Sequence, residues 1–151
     1  MKETKKIEVK ISKLDERVNI PCYQTEGAAG MDLCAFTAEP IILEPLDRKL
    51  IPTGFKMELP TGYEAQIRPR SGMSIKHGIT LINCVGTIDE DYRGEVCIPV
   101  VNLSKSSFVI NNGDRIAQMV IAPVTKANIK IVNTLTETQR GEGGFGSTGK
   151  N

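Results

Sequence analysis

The sequence is short of several residues and patterns that would assign a function quickly. It has a single histidine, His77. Its cysteines, Cys22, Cys34, Cys84 and Cys97, never fall in Cys-x-x-C spacing. A protein zinc site draws on several such ligands, so this chain offers no zinc site. It has almost no charge bias: the formal net charge is +1. That removes the electrostatic reason to expect a nucleic-acid or membrane-surface partner. No apolar run approaches the length of a membrane-spanning helix. The start is charged, with Lys2, Glu3, Lys5 and Lys6 and no apolar stretch, so we expect no secretory leader. The cysteines are then expected to be reduced thiols, packed as small apolar residues in a cytoplasmic protein. Room for long helices is also lacking, because 8 prolines and 14 glycines are spread along the chain.

What remains is a chain of 151 residues, 40% hydrophobic and 25% charged, a size and composition that fit one globular domain. Short apolar or alternating runs recur between turn residues. They are Ile7–Ile11, Pro40–Leu43, Phe55–Leu59, Tyr63–Ile67, Val96–Val101, Phe108–Ile110, Ile116–Ile121 and Ile129–Val132. Phe55-Lys-Met-Glu-Leu alternates with period two, as a half-buried strand does. One short helix is expected over Ser71–His77. Many short strands separated by turns predict an all-β sandwich or barrel of jelly-roll type. From about Thr136 the apolar residues give way to Gly, Thr and Ser. Residues 1–135 therefore read as the domain and 136–151 as a flexible arm.

That arm contains Arg-Gly-Glu-Gly-Gly-Phe-Gly-Ser-Thr-Gly-Lys, residues 140–150. Gly141, Gly143 and Gly146 satisfy G-x-G-x-x-G, and Gly144, Gly149 and Lys150 begin a P-loop pattern. Both patterns depend on a helix that follows and receives phosphate at its N-terminus. Here only Asn151 comes after, so neither reading applies.

Four other segments carry polar groups in unusual places. In GAAGMDLCA, Asp32 stands within an apolar run, where a carboxylate is costly unless it is paired or near a cation; the plain alternative is a turn cap. IRPRSGMS offers Arg68, Arg70, Ser71 and Gly72 at a helix start. Two guanidiniums, a hydroxyl and an open backbone suit a polyanion, and equally an arginine pair bridging surface carboxylates. NCVGTIDEDYRGE reads as two strands around an acidic tip, with Asp89 able to act as a general base or simply as a turn residue. In NNGDRIAQMVI, Asp114 beside Arg115 suggests an ion pair. Gln118 is expected on the strand face of Ile116 and Val120, pointing into covered space where its amide needs partners. His77 reads as a surface or packing residue.

In this order and spacing, the segments resemble the five motifs of the homotrimeric dUTPases, the deoxyuridine triphosphate nucleotidohydrolases. The resemblance covers almost the whole chain. It implies a jelly-roll-like β-barrel, assembled as a homotrimer with three shared active sites. RPRSG and GDRIAQ would come from one chain, the hairpin from a second and the glycine-rich arm from a third. The substrate would be dUTP, cleaved to dUMP and pyrophosphate, which lowers dUTP and supplies dUMP for dTMP synthesis. The resemblance implies that Asn83 and the backbone of Gly86, Thr87, Ile88 and Asp89 bind the uracil edge. Tyr92 would lie under the deoxyribose, leaving no room for a 2′-hydroxyl. Asp89 would be the general base. Arg70, Ser71, Gly72 and Gln118 would hold the phosphates, with Mg²⁺ across them and Asp32 gripping a metal-bound water. In the arm, Arg140 would meet the γ-phosphate, Phe145 would stack on the base, and Gly146, Ser147 and Thr148 would donate to phosphate. Cys97 is a weaker substrate contact. The related dCTP deaminases carry a glutamate three residues before an asparagine; here Pro99 precedes Asn102, which argues against deamination. A non-catalytic binding or regulatory protein on the same fold is a third reading, and the intact Asp89 and full arm argue against it.

Overall fold

The computed structural model describes residues 5–146. Ten strands and one helix are formed among them. The strands are β1 (Lys10–Lys13), β2 (Met31–Cys34), β3 (Ile41–Leu43), β4 (Arg48–Glu58), β5 (Tyr63–Arg68), β6 (Ile79–Leu81), β7 (Gly86–Ile88), β8 (Glu95–Asn102), β9 (Phe108–Ile110) and β10 (Arg115–Pro123). The helix, α1, spans Ser71–His77, where the sequence predicts it. No helix among the described residues is long and apolar enough to cross a membrane.

The strands form a sheet ordered β1-β4-β8-β6, a second ordered β2-β10-β5-β7, and a ribbon of β3 with β9. All the pairings are antiparallel. The alternation read in Phe55–Leu59 is real and belongs to the longer β4. There Ile51, Thr53, Phe55 and Met57 are buried, while Lys56 is exposed. In β8, Val96, Ile98 and Val100 point the same way, and Ala65 and Ile67 of β5 meet Leu33 of β2 and Met119 of β10 in the same core. Burying such side chains contributes roughly 1.5–3 kcal/mol each, so one continuous core holds both sheets.

Two strand expectations are corrected. Ile129–Val132 forms no strand: Ile129 is 82% and Ile131 94% exposed. A strand needs a neighbour's backbone to satisfy its own, and none lies alongside among the described residues. In β10 the pairing slips between Arg115 and Ala117. This bulge sends both Ile116 and Ala117 into the core. Gln118 therefore does not share the face of Ile116; it alternates against buried Ala117 and Met119.

The thiols are free, but only Cys34 and Cys97 are half-buried. Cys22 and Cys84 are exposed, contrary to the expectation of packing, because both sit in loops and not on a core-facing strand position.

Candidate functional site

One end of the second sheet gathers the polar residues of three separate segments. Asp32 on β2, Gln118 on β10 and Arg68 on β5 lie on neighbouring strands at one level, since Gln118 pairs with both Asp32 and Arg68. The chain leaves β5 through Pro69 and Arg70 and enters α1 at Ser71. Asp32 is 16% exposed and answers the cost of its burial with two cations. The Arg70 Nε lies 3.5 Å from one carboxylate oxygen and the Arg115 Nη1 lies 3.2 Å from the other. Arg70 also donates to the Arg115 carbonyl at 3.0 Å. The Gln118 amide donates to the Pro69 carbonyl at 3.0 Å, so the half-buried side chain has its partner. Ser71 and Gly72 are exposed at the start of α1.

Arg115 is the residue that sequence reasoning misassigned. It pairs with Asp32, not with Asp114. The Asp114 carboxylate instead accepts from the Asn111 backbone N–H at 2.7 Å and closes its own turn. The bulge beside Arg115 swings its side chain toward β2, and adjacency in sequence carries no sign of that. Burial pushes the Cys34 thiol up from its ordinary value, Asp32 adds to the rise and Arg115 opposes it. Burial, followed by Glu95, does the same to Cys97 on β8.

The hairpin residues form a second group. Gly86, Thr87 and Ile88 make β7, paired with Ile67, Gln66 and Ala65. Gly86 is buried, and a Cβ there would meet Ile67 and the Asn83 amide, each at 3.3 Å. Asp89 is exposed just beyond β7. It borders a cleft of about 500 Å³ lined by Glu64, Glu90, Asp91, Pro123, Thr125 and Lys126 among others. Tyr92 donates its hydroxyl to the Glu95 carbonyl at 2.9 Å. Its ring lies over Gly94, where a Cβ would overlap it. Gly94 is thus a further residue of this group that the sequence did not single out. Only the close Tyr-x-Gly spacing hinted at it.

The two groups stand apart within one chain. Ile88 pairs with Ala65, so Asp89 falls level with Glu64, while Gln118 and Asp32 sit at the level of Arg68. Four residues of strand at ~3.3 Å each separate the levels by about 13 Å.

Among the described residues, the arm's hydrogen bonds are local. Arg140 donates through Nε to the Gly143 carbonyl at 2.7 Å, a local turn. Phe145 is fully exposed with φ 50°, and Gly146 follows with φ 87°. Ser147 and Thr148 lie outside the described residues. His77 is exposed and rests against Phe108, with ring centroids 5.0 Å apart, within the surface-or-packing reading.

These features define an all-β protein with a carboxylate-braced arginine cluster of the chemistry that suits polyanions. The dUTPase family model matches residues 16–149. A deoxyuridine 5′-triphosphate nucleotidohydrolase of Finegoldia magna is 59% identical over 130 residues, covering 86% of this chain and 91% of its own. A dUTPase of Staphylococcus bacteriophage 80alpha, solved with dUPNHPP, superposes with a TM-score of 0.85 at 28% identity, over 94% of this chain and 98% of that one. A mutant dUTPase of phage phi11 of S. aureus, solved to show the coordination of a structural Mg(II) ion, gives 0.78 at 25% identity, over 87% and 100%. The chain belongs to the dUTPase family.

Proposed function

We propose that this chain is a dUTP diphosphatase that cleaves dUTP with water to dUMP and pyrophosphate, as a homotrimer with shared sites. The observation that carries the reading is the division of the motif residues into two groups about 13 Å apart at ~3.3 Å per strand residue. Neither group suffices alone. A site completed by a second chain's hairpin and a third chain's arm makes use of both. Ile129–Leu135, which exposes Ile129, Ile131, Val132 and Leu135, is then the end of the domain that leads the arm toward a neighbour. The domain proper, residues 1–135, is a jelly-roll-like barrel, and 136–151 is the closing arm.

In this mechanism Asp89 accepts a proton from the water that attacks the α-phosphorus, and pyrophosphate leaves. Arg70, Ser71, Gly72 and Gln118 hold the α- and β-phosphates; their fixed positions and charge supply most of the acceleration. The Asp32 carboxylate keeps Arg70 aligned, a support that precedes any substrate. Asn83 and the Gly86–Asp89 backbone read the uracil edge, and Tyr92, seated over Gly94, closes the space a 2′-hydroxyl needs. Arg140, Phe145, Gly146, Ser147 and Thr148 cover the triphosphate from the arm, with Cys97 as a weaker contact.

The donor set fits Mg²⁺ held mainly by substrate. No cluster of three metal-ligating side chains exists among the described residues. Mg²⁺ usually keeps several waters and binds through phosphates rather than an all-protein cage. Asp32 would hold one such water; when bound, the ion supplies charge neutralisation across the phosphates. The physiological role that follows is to lower dUTP in the cytoplasm and provide dUMP for dTMP synthesis.

The test is pyrophosphate release from dUTP, with dTTP, dCTP and UTP as controls and ammonia release from dCTP measured in parallel. Pyrophosphate from dUTP alone is expected, and it should require Mg²⁺. Ammonia from dCTP would replace this reading with deamination.

A further inference from the structure

We infer that Asn102 is a positioning residue for α1, the helix whose first residue is Ser71. The inference rests on the phosphate role proposed for Ser71. α1 has no buried residue and no side-chain cap at its start. A helix of seven residues held only there would be poorly placed. Met73 rests partly buried against the core and Arg70 ties the start to Asp32; the polar clamp that sets the tilt lies at the other end.

Gly78 closes the helix with φ 67° and donates its N–H to the Ser74 carbonyl at 3.0 Å. A side chain at Gly78 would come within 2.9 Å of the Ser104 backbone nitrogen. The Gly78 carbonyl accepts from the Leu103 N–H at 2.8 Å. The helix terminus is therefore clamped on the 103–106 loop. That loop has its own anchor, Asn102, which is fully buried. Its carbonyl oxygen accepts from the Ser104 N–H at 2.9 Å and the Ser104 hydroxyl at 2.8 Å. Its amide donates to the Leu43 carbonyl at 2.9 Å and the Ser106 carbonyl at 2.8 Å. All four hydrogen-bonding positions of the side chain are filled. Asn102 also pairs directly with Ile79, the residue after the cap. A continuous series of polar contacts thus runs from the core at Leu43 to the end of α1.

The helix is about 10 Å long at 1.5 Å per residue. A tilt of about 10° at its C-terminal clamp moves Ser71 by roughly 2 Å. Misplacing a catalytic group by about 1 Å costs on the order of 100-fold in rate. Asn102 contributes by what it holds still, through Ser104, and touches no substrate.

The experiment uses Asn102→Asp and, as a milder variant, Ser104→Ala. Aspartate keeps the shape, but its ionised form faces the Leu43 and Ser106 carbonyls without a proton to donate; protonation restores one donor. In folded Asn102→Asp enzyme, kcat for dUTP should fall at least tenfold at neutral pH with KM changed less than about twofold. The ratio of its kcat to wild type should rise as the pH is lowered. Ser104→Ala should lose about threefold in kcat, and it is read even if Asn102→Asp does not fold. Hydrogen exchange at the Ser74 and Gly78 amides should quicken in both. Folded variants with wild-type kcat, a pH-independent ratio or unchanged exchange would overturn the inference. Wild-type protein that releases no pyrophosphate would refute the functional reading instead, and the exchange result would still decide the role of Asn102.

Discussion

Mixing two inactive variants tests whether the site is divided between chains. Asp89→Asn removes the proposed proton acceptor of the hairpin. Arg70→Gln removes a cation from the far end of the same sheet. Loss of a general base costs on the order of 10²-fold or more, so each variant alone should be nearly silent. Within one chain the two groups lie about 13 Å apart at ~3.3 Å per strand residue. A catalytic carboxylate must approach its water to within about 3 Å, and the proposed divided site meets that need by taking the carboxylate from a second subunit. In the proposed closed threefold ring, each site would join the hairpin of one chain to the arginine cluster of another. After co-refolding equal amounts, a site is whole when the hairpin comes from an Arg70→Gln chain and the cluster from an Asp89→Asn chain. Random assembly gives that combination in about one site in four. Pyrophosphate release from the mixture should therefore reach about a quarter of the wild-type rate. A mixture that co-assembles, as native mass spectrometry would show, yet stays at the parents' rate refutes the divided site.

Three further outcomes are expected. Phe55 is fully buried, so Phe55→Ala should lower unfolding free energy by about 3–5 kcal/mol in a urea titration. Gly94→Ala should push the Tyr92 ring from its seat and raise turnover of UTP relative to dUTP by about tenfold; an unchanged ratio would remove Tyr92 from sugar discrimination. The thiols should divide into two classes under alkylation, with Cys22 and Cys84 fast and Cys34 and Cys97 slow. Burial raises the pKa of the latter two in the folded state. Their share of stability is therefore present below the unfolded thiol value, about 8.5, and is lost as the pH rises through the folded values. The urea midpoint should fall across that alkaline window, less steeply in Cys34→Ala.

The local features were legible because local chemistry decides them. The short α1 follows from Ser71 to Gly78, and the alternation of Phe55–Leu59 follows from its burial on one face. Asp32 in an apolar run demanded a cation, and it has two. What the sequence did not reveal depends on irregularity and on the third dimension. The bulge at Arg115 reverses which β10 side chains face the core, and no residue type there announces it. Gly94 matters only because the Tyr92 ring folds back over it. The missing strand at Ile129–Val132 is a different case. Its pattern is correct, but pairing needs a second backbone alongside, and none lies there among the described residues.

That unpaired stretch also matters during synthesis. A newly made chain presents Ile129, Ile131 and Leu135 to solvent, at 82%, 94% and 86% exposure. An exposed apolar segment of this kind is a starting point for disordered self-association. Lys130 divides the two isoleucines and Lys126 precedes them, the placement by which charges guard such segments. Crowded synthesis would then favour soluble capture over precipitation for as long as these two lysines keep their charge.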